Sequence, residues 1–133
     1  MIMPITPLYA AILGLLFVGL SVRTLRLRRR FRIAVGDAGN QQMLRAMRVH
    51  ANFAEYVPLT LLLLYMLESA GAYPALVHTL CICLLVGRLS HAYGVSQISE
   101  IYRYRVFGMA MTFTALVSSA IALIVIHIRY LAA

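Results

Sequence analysis

The 133-residue sequence has no lysine, only four acidic residues and only two cysteines. The cysteines, Cys81 and Cys83, lie together in one apolar run, and no second closely spaced pair accompanies them. This pattern gives no sign of a disulfide framework, so we expect two small buried side chains and no metal site. The shortage of acidic residues leaves a formal net charge of +8, which comes from twelve arginines.

Such a charge is found in many nucleic-acid-binding proteins, but the placement of the arginines argues against that class. Eight of the twelve lie between Val22 and Val49, beside apolar runs that are long enough to cross a membrane. Arginine-rich segments next to membrane spans remain in the cytosol and set the orientation of the chain. We therefore expect the arginines to determine topology, and we expect no nucleic-acid partner.

Hydrophobic residues make up 62% of the chain, far more than in an ordinary soluble domain. The composition predicts an all-α integral membrane protein, a four-transmembrane-helix bundle formed by a single domain over residues 1–133. The apolar runs predict spans at residues 5–22, 46–68, 75–93 and 106–128. The inner segments, residues 23–42 and 94–105, are rich in arginine and the outer segments are poor in it. The expected orientation therefore puts both termini outside.

Two details concern the ends of the predicted helices. The arginine-rich stretch after residue 22 keeps helical spacing, so the first helix should continue beyond the bilayer, and residues 34–42 should form a polar loop. Asn40 is the predicted N-cap of the second helix. Residues 94–105 are predicted as an amphipathic inner loop that carries Arg103 and Arg105.

The most informative stretch is RAMRVHANFAEYVP, residues 45–58, which leads into the second apolar run. On a helix, Arg45, Arg48, Asn52 and Glu55 fall within about 80° of one another and form one stripe. A charge at the centre of a membrane helix costs about 2.5–3.5 kcal/mol on insertion scales, so such groups persist only where they are paired or face a wet cavity. The stripe therefore indicates a site.

Further polar residues are predicted at the same depth in the third and fourth helices, namely Arg88, His91 and Arg105. Together with the stripe they predict a basic pocket near the cytosolic face that holds one carboxylate and one carboxamide. This pocket suits a small anion that also carries an amine. The alternative is a purely structural network of interhelical hydrogen bonds and ion pairs, for example between Glu55 and Arg88.

The histidines support a second interpretation. His50 and His91 are predicted near the inner side and His78 and His127 near the outer side, a layout that suits two bis-histidine haems. That arrangement leaves the polar stripe unexplained. A small transporter of the multidrug type has the right length but requires a carboxylate in an otherwise apolar helix. A membrane protein without catalysis, in which the polar cluster serves assembly or ligand sensing, is the main alternative.

The stretch RAMRVHANFAEYVPLTLLLLYMLE resembles the signature of the MAPEG family, the membrane-associated proteins in eicosanoid and glutathione metabolism. That signature reads Arg, three residues, Asn, two residues, Glu, then an aromatic residue and Pro. The positions that match it are Arg48, Asn52, Glu55, Tyr56 and Pro58.

Three shorter motifs extend the resemblance over nearly the whole chain, and it is closest to the short bacterial members. GRLSHAYG is similar to the third-helix motif of the family through Arg88 and His91. RRFRI follows the first helix as in the family, and in YRYRVFG Arg105 fits the arginine that opens the fourth helix. One departure is Val95, because several eukaryotic members have a tyrosine at that position.

The resemblance implies a homotrimer of four-helix bundles that binds glutathione between neighbouring subunits near the cytosolic face. The residues implied to hold glutathione are Arg29, Arg48, Asn52, Glu55, Tyr56, Arg88 and His91. Arg105 would stabilise the thiolate as the catalytic residue. The implied activity is that of a membrane glutathione transferase or peroxidase that acts on lipophilic electrophiles, in the cytoplasmic membrane if the chain is bacterial.

Overall fold

The computed structural model describes residues 4–132. It contains four helices, α1 (Thr6–Phe31), α2 (Gln41–Ser69), α3 (Pro74–Ser96) and α4 (Tyr102–Leu131). No strand occurs in residues 4–132, so the predicted all-α class is confirmed. The first three residues and the last residue of the predicted domain lie outside the described part.

Local sequence signals explain most of the helix ends. α1 continues without a break through its arginine-rich end to Phe31, as predicted. α2 begins after Asn40, whose Oδ1 accepts a hydrogen bond from the backbone N–H of Met43 at 2.9 Å, so the predicted N-cap is confirmed. This bond satisfies one of the backbone donors that the first turn of a helix leaves without an intrahelical partner.

The predicted inner loop at residues 94–105 is wrong at both ends. α3 continues to Ser96 and α4 already begins at Tyr102, which leaves only residues 97–101 as the connection. The physical reason is tertiary packing. The backbone of Gly94 lies against Tyr104 and the backbone nitrogen of Arg105, so the last turn of α3 and the first turn of α4 form together.

Within residues 4–132, three helices are long and apolar enough to cross a membrane, namely α1, α3 and α4. α2 is not among them, because Asn52, Glu55 and Thr60 interrupt its apolar sequence. α2 nevertheless contacts each of the other three helices, whereas α1 and α4 do not touch each other in the described chain. α3 likewise contacts the other three helices. The span predicted for α2 at residues 46–68 stays a prediction.

The apolar core runs along the side of α2 that faces α1 and α3. Its fully buried members include Leu13, Leu64, Leu67 and Leu84. Cys81 is buried in this cluster, as expected, whereas Cys83 is only half-buried. The core leaves the opposite side of α2 open toward the polar residues at its inner end.

α3 and α4 are neighbours whose backbones touch at glycines. A Cβ atom built on Gly108 would lie 2.6 Å from the carbonyl oxygen of Gly87 and 2.6 Å from the backbone nitrogen of His91. Because only glycine allows this approach, the crossing fixes how His91 on α3 and Arg105 on α4 lie relative to each other.

We predict that Gly108→Ala destabilises the protein by about 1–3 kcal/mol, since the added methyl group has to push two backbones apart. In a helix interior, alanine is normally about 1 kcal/mol more favourable than glycine. The expected loss of stability is therefore opposite to the effect of helix propensity. Gly14→Ala in α1 is the matched control, because its Cβ would meet nothing within 4 Å. Thermal unfolding in detergent measures both, and an equal effect of the two changes would contradict the close crossing.

Candidate functional site

A cavity of about 470 Å³ lies between α2, the end of α3 and the start of α4. Its wall consists of Gln41, Leu44, Arg45, Arg48, Ala51, Asn52, Glu55, His91, Val95, Glu100 and Arg105. The cavity therefore brings together three arginines, two carboxylates, two carboxamides and one imidazole. The whole α2 stripe that was identified in the sequence lies in this wall.

Arg48 and Glu55 are the exposed members of the stripe. Within residues 4–132 neither side chain forms an ion pair, because the pairs found there involve Arg45, Arg105 and Glu100. Arg48 and Glu55 are seven residues apart, which corresponds to about 10.5 Å along the helix axis. The cavity thus offers one unpaired cation and one unpaired carboxylate at two separate heights.

Arg88 lies behind the cavity rather than in its wall. Its side chain is 1% exposed, and its Nη1 donates a hydrogen bond to Oδ1 of Asn52 at 2.7 Å. Nη2 lies 3.4 Å from the sulfur of Met109 on α4. The ion pair with Glu55 that was given as an example of the structural alternative is not formed in the described chain. Because Oδ1 of Asn52 is already used by Arg88, its amide N–H groups remain as the donors that can reach a ligand.

Glu100 is the residue of the site that sequence reasoning missed. It lies in the α3–α4 connection, and its carboxylate lies 2.7 Å from Nη1 of Arg105 and 3.5 Å from Nη1 of Arg45. The expectation of a single carboxylate in the pocket is therefore wrong, and so is that of a single carboxamide, because Gln41 also lines the cavity. The signal was present in the sequence, since Glu100 is one of only four acidic residues and lies five positions before Arg105.

Arg105 and Arg103 are clearly distinguished. Arg105 lines the cavity and Arg103 does not, because two residues apart on a helix means a rotation of about 200°. The hydrogen bond from Arg105, and then the charge of Arg45, hold the pKa of the Glu100 carboxyl below its usual range. The arginine predicted as catalytic is thus already paired within its own chain.

Three of the predicted glutathione-binding residues lie away from the cavity wall, namely Arg88, Arg29 and Tyr56. Arg29 is exposed near the end of α1. Tyr56 packs edge-on against Phe113, with ring centroids 5.4 Å apart. His91, by contrast, is buried at 5% exposure and lines the cavity. The structure of one chain therefore brings together five of the predicted residues, namely Arg48, Asn52, Glu55, His91 and Arg105.

The two inner histidines of the haem interpretation, His50 and His91, have different surroundings. Nε2 of His50 lies 2.9 Å from the hydroxyl of Ser21, and Nδ1 of His78 lies 3.2 Å from the hydroxyl of Tyr9. Both rings therefore pair with α1, while His91 lines the cavity. Within residues 4–132, no group of three or more histidine, cysteine or acidic side chains could hold a metal ion.

Comparison with known proteins finds a match to one protein family over nearly the whole chain. The MAPEG family model matches residues 6–125, from the start of α1 into the last part of α4. Two relatives, each named Inner membrane protein YecN, come from Escherichia coli strain K12 and from Escherichia coli O6:H1. Each is 37% identical over 118 residues, which cover 89% of this chain and 88% of the relative. No solved structure matches the chain.

The lowered pKa of Glu100 predicts a pH-dependent contribution to stability. A carboxyl whose pKa is lower in the folded state stabilises the protein above its ordinary pKa of 4.5, and this contribution is lost as pH falls through the folded value. We expect the wild type to unfold at a higher temperature than Glu100→Gln at pH 7. Its free energy of unfolding should be larger by about 0.2–1 kcal/mol, as for other partly exposed ion pairs.

The difference between the two proteins should shrink below pH 4.5 and vanish at lower pH. Thermal unfolding across that range, in the absence of ligand, measures it. A difference that is independent of pH would mean that Glu100 contributes by packing rather than by its charge.

Proposed function

The chain belongs to the MAPEG family, and from this membership we propose that its basic cavity binds glutathione and that the bound thiolate attacks lipophilic electrophiles. One observation carries the proposal. Arg48, Glu55 and Arg105, which match the family motifs of two different helices, line the same cavity. Guanidinium groups suit carboxylates and a thiolate, and the glutamate suits an ammonium group.

The charges of glutathione fit this arrangement of groups. Glutathione has two carboxylates and one ammonium group at its ends and a thiol between them. The separation of Arg48 and Glu55 by two helical turns, about 10.5 Å, is on the order of the length of an extended tripeptide. The free amide N–H groups of Asn52 lie between these two heights and suit a peptide carbonyl. Arg29 and Tyr56 would act only from elsewhere in an assembly.

The proposed chemistry begins with the thiol. A free thiol has a pKa near 8.5 and is mostly protonated at neutral pH, and an adjacent guanidinium favours the thiolate. Arg105 is the cavity arginine that we assign to this role. The thiolate sulfur then forms a bond to an electrophilic carbon, and the leaving group departs with the electron pair of the broken bond. A lipid hydroperoxide would instead be reduced to the alcohol and water while two glutathiones are oxidised to the disulfide.

The proposed assembly is a homotrimer, and an exposed face of α2 supports it. Arg48, Glu55, Leu59, Leu62 and Met66 follow one another at steps of three, four or seven residues and are all exposed in the single chain. A face with a cation and a carboxylate at membrane depth is costly against lipid. A neighbouring subunit would cover this face and close the cavity, with glutathione between the two chains.

The proposed location is the cytoplasmic membrane, with both termini outside and the cavity near the cytosolic face. The supporting observation is the row of arginines at the inner ends of the helices, together with the inner-membrane designation of the bacterial relatives. The second substrate would enter from the lipid bilayer.

A second candidate is a glutathione-binding protein without catalysis. Val95 favours it, because this aliphatic side chain lines the cavity where several family members have a tyrosine. The pairing of Arg105 with Glu100 also favours it, since a neutralised arginine stabilises a thiolate less.

Calorimetric titration of the purified protein with glutathione tests the binding site. We expect Glu55→Gln to lose the contact with the ammonium group and Arg48→Ala to lose a carboxylate contact. A hydrogen bond to a charged group contributes roughly 1.5–3 kcal/mol, so each change should weaken binding about tenfold or more. Arg26→Ala, an exposed arginine of α1 outside the cavity, should leave the affinity unchanged. Wild-type affinity for glutathione in all three variants would show that the polar stripe of α2 has a purely structural role.

Turnover of a lipophilic electrophile separates catalysis from binding. Arg105→Ala should keep most of the affinity for glutathione but slow turnover, because its interaction strengthens as negative charge forms on sulfur. Thiolate absorbance of the bound ligand at neutral pH should fall in the same variant. Arg103→Ala is the matched control. It removes the same charge from another face of α4, and Arg103 does not line the cavity. An equal loss of turnover in both variants would mean that the overall charge of this segment matters rather than one positioned arginine. Absence of turnover in the wild type would favour the second candidate.

The oligomeric state is tested by the mass of the detergent-solubilised protein. We expect a trimer, and we expect Leu62→Arg on the exposed face of α2 to break it into monomers. Leu8→Arg, at an equally exposed leucine of α1, is the control for a charge placed elsewhere on the apolar surface. A monomer that binds glutathione with full affinity would contradict a site shared between subunits.

A further inference from the structure

The carboxylate of Glu100 lies where a ligand anion would bind. It contacts Arg105 of α4 at 2.7 Å and Arg45 of α2 at 3.5 Å, so it bridges two of the helices that form the cavity. Its side chain is only 13% exposed, while that of Arg105 is 49% exposed. Glu100 therefore covers the inner side of the two guanidinium groups, and Arg105 remains open on its other side.

The cavity has one carboxylate, that of Glu100, more than the charges of the proposed ligand require. The wall holds three arginines, Arg45, Arg48 and Arg105, and two carboxylates, Glu55 and Glu100. Glutathione with an ionised thiol presents three negative groups and one ammonium. Three arginines and Glu55 alone would match these four charges one for one. A Glu100 that stayed in place would repel one of the ligand anions at close range.

The loop geometry allows the Glu100 side chain to leave without opening the bundle. The backbone N–H of Ile101 donates to the carbonyl oxygen of Gly94 at 3.4 Å, and the hydroxyl of Ser90 donates to the carbonyl oxygen of Tyr104 at 2.9 Å. These bonds hold the backbone on the C-terminal side of Glu100, so rotation of one side chain is sufficient. The same bonds keep the carboxylate close to the arginines, where it competes with a ligand at a high effective concentration.

We propose that Glu100 is an internal competitor at the anion site, which occupies Arg45 and Arg105 in the empty cavity and is exchanged for an anionic group of the ligand on binding. This proposal rests on the proposed function for the identity of the ligand but not for the exchange itself. Glu100 sets specificity, because a ligand must supply enough negative charge to replace the carboxylate. A ligand with a single weak anionic group leaves the internal pair intact.

The test compares wild type, Glu100→Gln and Asp37→Asn by calorimetric titration in detergent at pH 7, with glutathione and with inorganic sulfate as separate probes. Glu100→Gln removes the competing charge and keeps the size of the side chain. We expect it to bind each probe about tenfold more tightly than the wild type, as for the removal of one competing charge-assisted hydrogen bond. Asp37→Asn removes the same charge from the α1–α2 loop outside the cavity and should change neither affinity.

The two probes separate failure of this inference from failure of the proposed function. Tighter sulfate binding by Glu100→Gln, without glutathione binding in either protein, would overturn the glutathione site and keep the exchange. Glutathione binding that is equal or weaker in Glu100→Gln would overturn the exchange and keep the site, since Glu100 would then hold the arginines in a binding-competent position. If Glu100→Gln does not assemble, Glu100→Asp gives the same test. It retains the charge but withdraws the carboxylate by one methylene, and unchanged affinity there would also overturn the exchange.

Discussion

The hydrogen bond from Arg88 to Asn52 joins the helices at the depth of the cavity. Arg88 belongs to α3, its Nη1 donates to Asn52 on α2, and its Nη2 lies against Met109 on α4. A guanidinium group buried among helices has lost its hydration, and breaking its hydrogen bond leaves a buried charged donor unsatisfied, at a cost of about 1–3 kcal/mol or more. Three helices must therefore meet at this point. The cavity in front of Asn52 exists because the helices that form its wall are held together behind it.

α2 also makes a polar contact at its other end. The carboxylate of Glu68 accepts hydrogen bonds from the backbone N–H groups of Ile5 and Thr6 at the start of α1. A carboxylate is favourable there, because the first backbone N–H groups of a helix lack partners and carry partial positive charge. α2 thus fixes α1 at one end and, through Asn52, α3 and α4 at the other. Between these ends its contacts with the bundle are apolar.

The features that were predictable from the sequence are those that depend on local spacing. The Asn40 cap follows from one residue type before an amphipathic run, and the stripe of α2 follows from the helical period. The role of Arg88 was not predictable, since nothing in its spacing shows that it lies behind Asn52 rather than beside Glu55. The distinction between the two arginines of α4 depends on where that helix starts. The contact of Gly94 with the fourth helix decides that point, and it is known only from the folded chain.

The cavity has two electrostatically different sides, and this difference suggests an order of events during binding. On the α2 side, Arg48 and Glu55 are exposed and unpaired in the described chain, so a ligand can contact them without displacing any protein group. On the loop side, Arg105 is held by Glu100. A ligand that is anchored at its ends by the α2 side presents its remaining negative charge to Arg105 at a high effective concentration. In the proposed exchange, the Glu100 carboxylate would leave Arg105 only after this anchoring. A thiolate would thus meet the arginine only after the rest of the ligand has been recognised.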